Sequence, residues 1–412
     1  MPTTRSRPDH SLLHHAAVVE LDAVASRTFP HRTAVSLHAH TNRSRESVTI
    51  LPSYLDRIPV IGAMARHEMR AYERRNGQPI DFTKGWWHPP VTAEQVFASE
   101  CTQIERLGMR PIVSITDHDS IGAGLSLIGR TSYEVPISFE WTVPYGPGFL
   151  HLGVHNLPNK AAADVFGRLA VVTERPASGS LADMLDLVAN ARQTLVVLNH
   201  PLWDLAGVGA DTHMDLVCRF VRESRPWLHA IELNGYRSWT ENAGAADFAM
   251  ACGLPVISGG DRHGCAPNSL LNVTAATSFA EFANEVRDDA HSCVVLLPEY
   301  REPLVARKLA VAADALRVYP AHPAGQPLWT DRVSYESDGV IRSLSAEWTG
   351  GGPIWARSAI RLFEASTRNP LLPATRACVW LAGVSKSTAA LGRRSDSLPA
   401  AGVRVRYNQS LG

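Results

Sequence analysis

The sequence predicts an α/β fold, either an α/β barrel or a doubly wound sheet. Two observations carry that expectation. Short apolar runs alternate with helix-like segments over about 265 residues, and most runs are apolar on both faces, as buried parallel strands tend to be. The residues able to do chemistry also gather just past the ends of these runs, where parallel α/β folds build their sites.

The runs fall at 33–37, 112–116, 135–139, 150–154, 195–198, 230–233, 256–258 and 293–297. Helix signals lie between them. Thr92-Ala-Glu-Gln95 reads as a capping box and Gly108 as a stop. Ser180-Leu-Ala-Asp183 opens another helix, and a further one spans 240–252 before Gly253. Two regions break the rhythm. Residues 47–91 read as an insertion holding a basic amphipathic piece (64–75) and then Lys84-Gly-Trp-Trp-His-Pro-Pro90; long inserts of this kind serve as lids or walls. After Pro298 come a helix at 302–318, a hairpin signal at Asp338-Gly339 and helices at about 354–366 and 373–391. The expected organisation is an N-terminal segment 1–31, polar and loosely packed, a barrel-like unit 32–298 with the 47–91 insertion, and a C-terminal α+β appendage 299–412.

Composition narrows the function. The chain has 412 residues, with 40 Lys+Arg against 40 Asp+Glu. Bulk-charge binding of nucleic acid needs a basic protein, which this is not. At 45% hydrophobic residues a disordered chain is excluded. No stretch approaches the roughly 18–20 apolar residues of a membrane span. The N-terminus lacks an apolar core with a small-residue cleavage site, so no signal peptide and a cytoplasmic compartment are expected. Six cysteines form no C-x-x-C pair, which argues against a thiolate zinc site.

The unusual count is 17 histidines. Ser36-Leu-His-Ala-His-Thr41 ends the first run; strand alternation would let His38 and His40 bind one metal together. Ser114-Ile-Thr-Asp-His-Asp119, Ser138-Phe-Glu140, Phe149-Leu-His151 with His155, Val197-Leu-Asn-His-Pro201, Ile231-Glu-Leu-Asn234 and Ser258-Gly-Gly-Asp-Arg-His263 follow at the later runs. Imidazole and carboxylate without thiolate suit Zn2+, Mn2+ or Fe2+. About nine candidates are enough for two or three ions sharing a bridging carboxylate.

In these pieces (His38-x-His40, Thr116-Asp-His-Asp119, Glu140, His151, Asn199-His-Pro201 and Gly260-Asp-Arg-His263) the chain resembles the polymerase and histidinol phosphatase (PHP) superfamily of metal-dependent phosphoesterases. The resemblance spans about residues 33–265. It implies a distorted (β/α)7 barrel. It also implies that His38, His40, Glu140 and Asp261 hold a first metal, that Glu140 bridges to a second completed by His151 and His200, and that His118 and His263 hold a third. The set expected to carry catalysis is then His38, His40, Glu140, His200, Asp261 and His263. Where the family places an Asp or His after the H-x-H, often in Ser-Asp-Gly, this chain has Ser44-Arg45-Glu46. Either Glu46 substitutes as a ligand or the third metal is weak or absent, and Arg45 binds substrate phosphate instead.

Other residues receive supporting roles. Asp117, Asn199 and Glu232 are expected behind the ligands, orienting them; Asp119 caps a turn. Arg43, Arg45 and Arg262 are candidates for substrate, although alternation should turn Arg262 away from the metals. Trp86, Trp87 and His88 either line the pocket mouth or pack the insert onto the barrel. His10, His14 and His15 are read as solvated. The expected activity is hydrolysis of a small phosphorylated metabolite by metal-activated water, with nucleic acid not expected as a substrate and no membrane partner. The alternatives are an amidohydrolase-like enzyme cleaving a C–N or C–O bond, and a non-catalytic metal-binding domain.

Overall fold

The computed structural model describes residues 16–20, 31–49, 51–52, 59–176, 180–337 and 339–367. The expected helix at 373–391 and the N-terminal histidines His10, His14 and His15 lie outside them.

The strands are β1 (Ala16–Glu20), β2 (Thr33–Leu37), β3 (Glu46–Ser47), β4 (Gly85–Trp87), β5 (Arg110–Ser114), β6 (Ile137–Tyr145), β7 (Gly148–Leu157), β8 (Leu195–Leu198), β9 (Ala230–Asn234), β10 (Val256–Gly259), β11 (Leu270–Thr274), β12 (Ser292–Leu296), β13 (Val333–Ser337) and β14 (Val340–Ser343). The α-helices are α1 (Pro59–Asn76), α2 (Ala93–Arg106), α3 (Gly122–Leu127), α4 (Ala162–Glu174), α5 (Ser180–Ala189), α6 (Ala210–Ser224), α7 (Trp239–Ala251), α8 (Phe279–Arg287), α9 (Leu304–Leu316) and α10 (Ile354–Thr367).

The architecture is mixed α/β in three sheets, ordered β1-β12-β11-β2-β5, β10-β9-β8-β7-β6 and β14-β13-β4-β3. No closed barrel is present among the described strands. Two isolated parallel bridges connect the first two sheets, His118 to Glu140 and Ala39 to Arg262. The second is reinforced by Gly260 N–H donating to Leu37 O at 2.8 Å and His40 N–H to Arg262 O at 2.8 Å. β2 thus pairs with β11 over its first half and reaches the extension of β10 beyond its end.

The expectation of parallel strands holds for β2–β5 and for β8–β9–β10. It fails at one end of the second sheet, where the edge strand β6 and β7 form a long antiparallel hairpin and β7 runs antiparallel to β8. The Gly146-Pro147 turn joins them, and Gly146 takes φ +58, a conformation open to glycine at little cost. The 1–31 segment is also not uniformly loose, because β1 pairs in parallel with β12.

Local signals formed as read. Thr92 and Gln95 make both capping-box bonds at the start of α2, and Gly108 ends that segment at φ +76. Ser238 caps α7, whose chain leaves through Gly253 at φ +65. Inside, Val35, Leu37, Ile112, Leu195, Val197, Ala230 and Ile257 from strands of both large sheets meet Phe279 and Phe282 of α8. This apolar interior is the floor on which the ends of β2, β5, β8, β9 and β10 stand. The insertion and the C-terminal region join in the third sheet: β4 pairs with β13, and β13 with β14 through the expected hairpin. No helix among the described residues is long and apolar enough to cross a membrane.

Candidate metal centre

Eight predicted ligands and Glu46 converge on one place. Four overlapping groups have ligand atoms within 4.8 Å of one another: His38, His40 and Asp261; His38, Glu140 and His200; His118, Glu140 and His151; His40, Glu46, His118 and His263. Glu140 is the hub. Its Oε2 lies 3.1 Å from His38 Nε2 and 3.3 Å from His118 Nδ1, and its Oε1 lies 3.1 Å from His200 Nε2 and 3.2 Å from His151 Nδ1. Asp261 Oδ1 stands 3.5 Å from both His40 Nε2 and His263 Nδ1.

The backbone brings them together by turning, not by alternation alone. β2 ends at Leu37, and His38 has φ 61; His200 has φ 27 and Asp261 φ 50. His38 and His40 therefore meet edge to face at 5.0 Å between ring centroids through a left-handed turn, not by the period-2 facing that the strand pattern implied. His151 reaches the same rim from the opposite chain direction, because β7 is antiparallel and its early residues sit beside Thr142 of β6.

His155 is not part of the centre. Its Nδ1 lies 2.9 Å from Ser114 Oγ, its ring stacks on Phe279, and burial pushes its pKa down to about 3. Glu46, in the stretch that departs after the H-x-H, reaches the cluster. Its Oε2 is 2.9 Å from His263 Nε2 and 3.3 Å from His118 Nε2, while Ser44 Oγ donates to its Oε1 at 2.6 Å. The adjacent Arg45 is exposed, with its guanidinium 5.0 Å from the Trp86 ring centroid.

The supporting residues divide differently from expectation. Glu232 contacts His38 Nδ1 and accepts the His200 N–H at 2.8 Å. Asn199 Nδ2 donates to Glu140 Oε1 at 3.0 Å. Asp117 does not orient a histidine. Its carboxylate accepts from the Thr41 N–H at 2.6 Å and the Thr41 hydroxyl at 2.7 Å, fixing the loop behind the ligands, and burial raises its pKa to about 7. Asp119 Oδ1 accepts the Thr142 N–H at 2.9 Å. Arg262 is removed from the substrate candidates. It is 1% exposed, pairs with Glu100 at 2.7 Å, and donates to Ser99 Oγ and to the carbonyls of Gly264 and Cys265. Arg43 is exposed, its Nη1 close to where a Cβ at Gly122 would stand.

Asn234 is the residue the sequence left without a role. Its Nδ2 donates to Glu232 Oε2 at 3.0 Å and to Asp261 Oδ2 at 3.2 Å, tying two acids together. Its position at the end of an apolar run was the available signal. Trp86 and Trp87 sit in β4, which pairs with β3 and β13, and the Trp87 ring lies 6.1 Å from that of His263. Trp86 Nε1 donates to His88 Nε2, and His88 Nδ1 lies 2.7 Å from Ser44 O.

The electrostatics suit cations. At His38, burial opposes the charged ring but Glu140 and Glu232 outweigh it, raising the pKa. His118 and His263 rise to about 10 and about 9, burial again being outweighed, with Glu46 the leading partner for both. His40 and His151 go the other way, to about 4, chiefly by burial. The fit to divalent ions shows in atoms left over: His40 Nε2 and His151 Nδ1 are buried without a hydrogen-bond partner. A buried nitrogen of that kind is costly unless something accepts its lone pair. Three carboxylates among six imidazoles supply the hard and borderline donors that such ions take.

No family model matches the chain. Nor does any curated protein. Among solved structures it is similar to PsfC from Pseudomonas syringae PB-5123, at 10% identity and a TM-score of 0.38, covering 69% of this chain and 99% of that one. It is also similar to a protein titled "a putative metal-dependent phosphoesterase" from Bifidobacterium adolescentis, at 14% identity and a TM-score of 0.30, covering 49% of this chain and 92% of that one.

Proposed function

We propose that the chain is a metal-dependent phosphoesterase acting on a small phosphorylated metabolite. The observation that carries the reading is the single carboxylate Glu140 shared by two of four overlapping ligand groups, the arrangement that holds ions a few ångströms apart. Bound there, clustered divalent ions would supply a nucleophilic hydroxide at neutral pH and neutralise charge on both oxygens of an in-line displacement at phosphorus. Mn2+, Zn2+ and Fe2+ all suit the donors, and two or three ions fit the groups. The two bridges between the large sheets are consistent, on this reading, with the seams of a distorted barrel.

The chain's own residues hold the geometry. Glu232 fixes the His38 ring, Asn199 holds Glu140, and Asn234 spans Glu232 and Asp261. Access is from one side. The side chains of His118 and His263 are 15% and 18% exposed, whereas those of His38, His40 and Glu140 are at most 1% exposed. Trp87 lies beside His263, and the exposed Arg43 and Arg45 of the 43–46 loop would meet an incoming anion there. A walled opening and zero net charge favour a small molecule over a polyanion.

The test is hydrolysis of an aryl phosphate, then of a panel of nucleotides and sugar phosphates, by protein loaded with each metal. Turnover supports the reading. Failure on every phosphate with turnover of a lactam or ester would establish the amidohydrolase alternative. Metal retained with turnover of no substrate would favour the non-catalytic metal-binding domain, and failure to retain any metal would overturn the metal-centre reading itself.

A further inference from the structure

Helix α9 is docked along one stripe. Arg307 Nη1 donates to Gly235 O, a Cβ at Gly264 would stand 2.9 Å from Asp314 Oδ2 and 3.3 Å from Val311 Cγ2, and Asp314 Oδ2 accepts the Cys265 N–H at 2.7 Å. Positions 307, 311 and 314 share a helix face. The helix therefore lies across the loops that follow β9 and β10, the loops adjoining Asn234 and carrying Asp261 and His263.

Lys308 stands beside that stripe. It is exposed at the surface and makes no hydrogen bond or ion pair among the described residues. The surrounding protein, then Arg237, pull its pKa down to about 8, while Glu241 and Asp261 act against them. Arg237, 6% exposed, lays its guanidinium 3.3 Å over the Trp203 ring, and Trp203 packs edgewise on His200 at 5.4 Å. Arg237 also lines a small cavity with His200, Glu232, Asn234 and Glu241. Arg237 thus stands by His200, with Glu241 as the nearby acid, 3.8 Å away, and α9 brings Arg307 and its neighbour Lys308 to the same loop through the bond from Arg307 to Gly235 O, two residues before Arg237.

We propose that Lys308 and Arg237 form a second anion-binding position beside the metal centre, and that the substrate is a phosphorylated compound carrying a further anionic group, a carboxylate or a second phosphate. The inference rests on the phosphoesterase reading. The phosphoryl group goes to the metals, and the second anion goes to cations contributed partly by the C-terminal region. This gives that region a task in selecting substrate.

The test is calorimetric titration of the metal-loaded full chain with three unreactive probes: methylphosphonate, phosphonoacetate and methylenediphosphonate. Wild-type protein should bind one of the doubly functional probes at least about tenfold tighter than methylphosphonate, on the scale of a hydrogen bond to a charged group. That probe tells carboxylate from second phosphate. Because both such probes also chelate metals better, the deciding reading is Lys308→Gln, which should erase most of the preference, while Lys308→Arg should restore it. Metal content is measured for each protein. A preference unchanged in Lys308→Gln, or none in the wild type while methylphosphonate binds, overturns the second position and leaves the phosphoesterase reading standing. If no probe binds, both fall.

Discussion

Glu232→Gln should cost the protein its metal without costing it the fold. Glu232 serves three donors: one oxygen contacts His38 Nδ1, and the other accepts the His200 N–H at 2.8 Å and Asn234 Nδ2 at 3.0 Å. Glutamine has one carbonyl oxygen, and the two donors on the Oε2 side claim it. The amide NH2 then faces His38 Nδ1, which must become an acceptor. The ring proton moves to Nε2, the nitrogen 3.1 Å from Glu140 and 3.6 Å from Asp261, and a protonated nitrogen has no lone pair for a metal. Loss of a carboxylate behind a ligating histidine typically lowers metal affinity about 10–100-fold, or roughly 1.4–2.7 kcal/mol. The assay is elemental analysis across a chelator series, with thermal unfolding of the metal-free proteins alongside. Wild-type affinity in Glu232→Gln would refute the tautomer argument. Equal losses of affinity and metal-free stability would assign the effect to folding instead.

Further outcomes follow from the same geometry. Gly259→Ala places a Cβ 1.6 Å from Glu232 Oε1, so it should displace that carboxylate and reproduce the metal loss with no ionisable group changed, read by the same chelator series. If the centre fills as proposed, Glu46→Gln should release about one metal equivalent from the group it forms with His40, His118 and His263 and keep the rest; loss of all metal, or of none, by elemental analysis would contradict it. His155 stays neutral when folded, with a pKa near 3 against 6.5 unfolded. Its contribution is therefore complete above pH 6.5 and declines as pH falls towards 3, by about 1.4 kcal/mol per pH unit. Chemical unfolding of metal-free protein from pH 7 to 4 should show a shallower decline in His155→Gln, and parallel curves would sink the assignment.

The sequence disclosed what is local and missed what is paired at a distance. The 33–37 and 195–198 runs match β2 and β8 at both ends, since short stretches apolar on both faces have few other uses in a globular chain. β11 escaped because Asn272 interrupts its apolar pattern. That asparagine is buried for a reason, accepting the Ser258 N–H at 2.7 Å and donating to Ser292 Oγ at 2.8 Å. β3 and β4 have two and three residues and exist by pairing with each other and, for β4, with β13, about 250 residues away, which leaves no local pattern. The hairpin of β6 and β7 was readable from Tyr145-Gly-Pro-Gly148, yet its apolar runs were assigned as separate parallel strands. At the cluster, residue type announced the converging imidazoles and carboxylates well. Glu46 was ambiguous because its position depends on how the loop after His40 folds, and Asn234 because hydrogen bonding between acids has no spacing signature.

Strain explains why these ligands reach one point. Among the described residues six non-glycine residues have positive φ, and three of them, His38, His200 and Asp261, are ligand candidates; a fourth, Asp119, follows His118. Each such residue costs about 1–3 kcal/mol, and such strain persists only where the surroundings over-determine it. Here the surroundings can be named. Gly260 N–H donates to Leu37 O and His40 N–H to Arg262 O on either side of His38 and Asp261, so each strained residue is braced by the other's strand extension. His200 is held by its own N–H on Glu232. Arg262 completes the brace: set between Asp261 and His263, it turns inward to Glu100, which also accepts from Ser36 Oγ at 2.8 Å, two residues before His38. One buried ion pair thereby ties the end of β2 to the turn that carries Asp261 and His263. An arginine in that position braces the cluster: at 1% exposed, with four of its five N–H groups engaged by protein acceptors, it is closed to substrate.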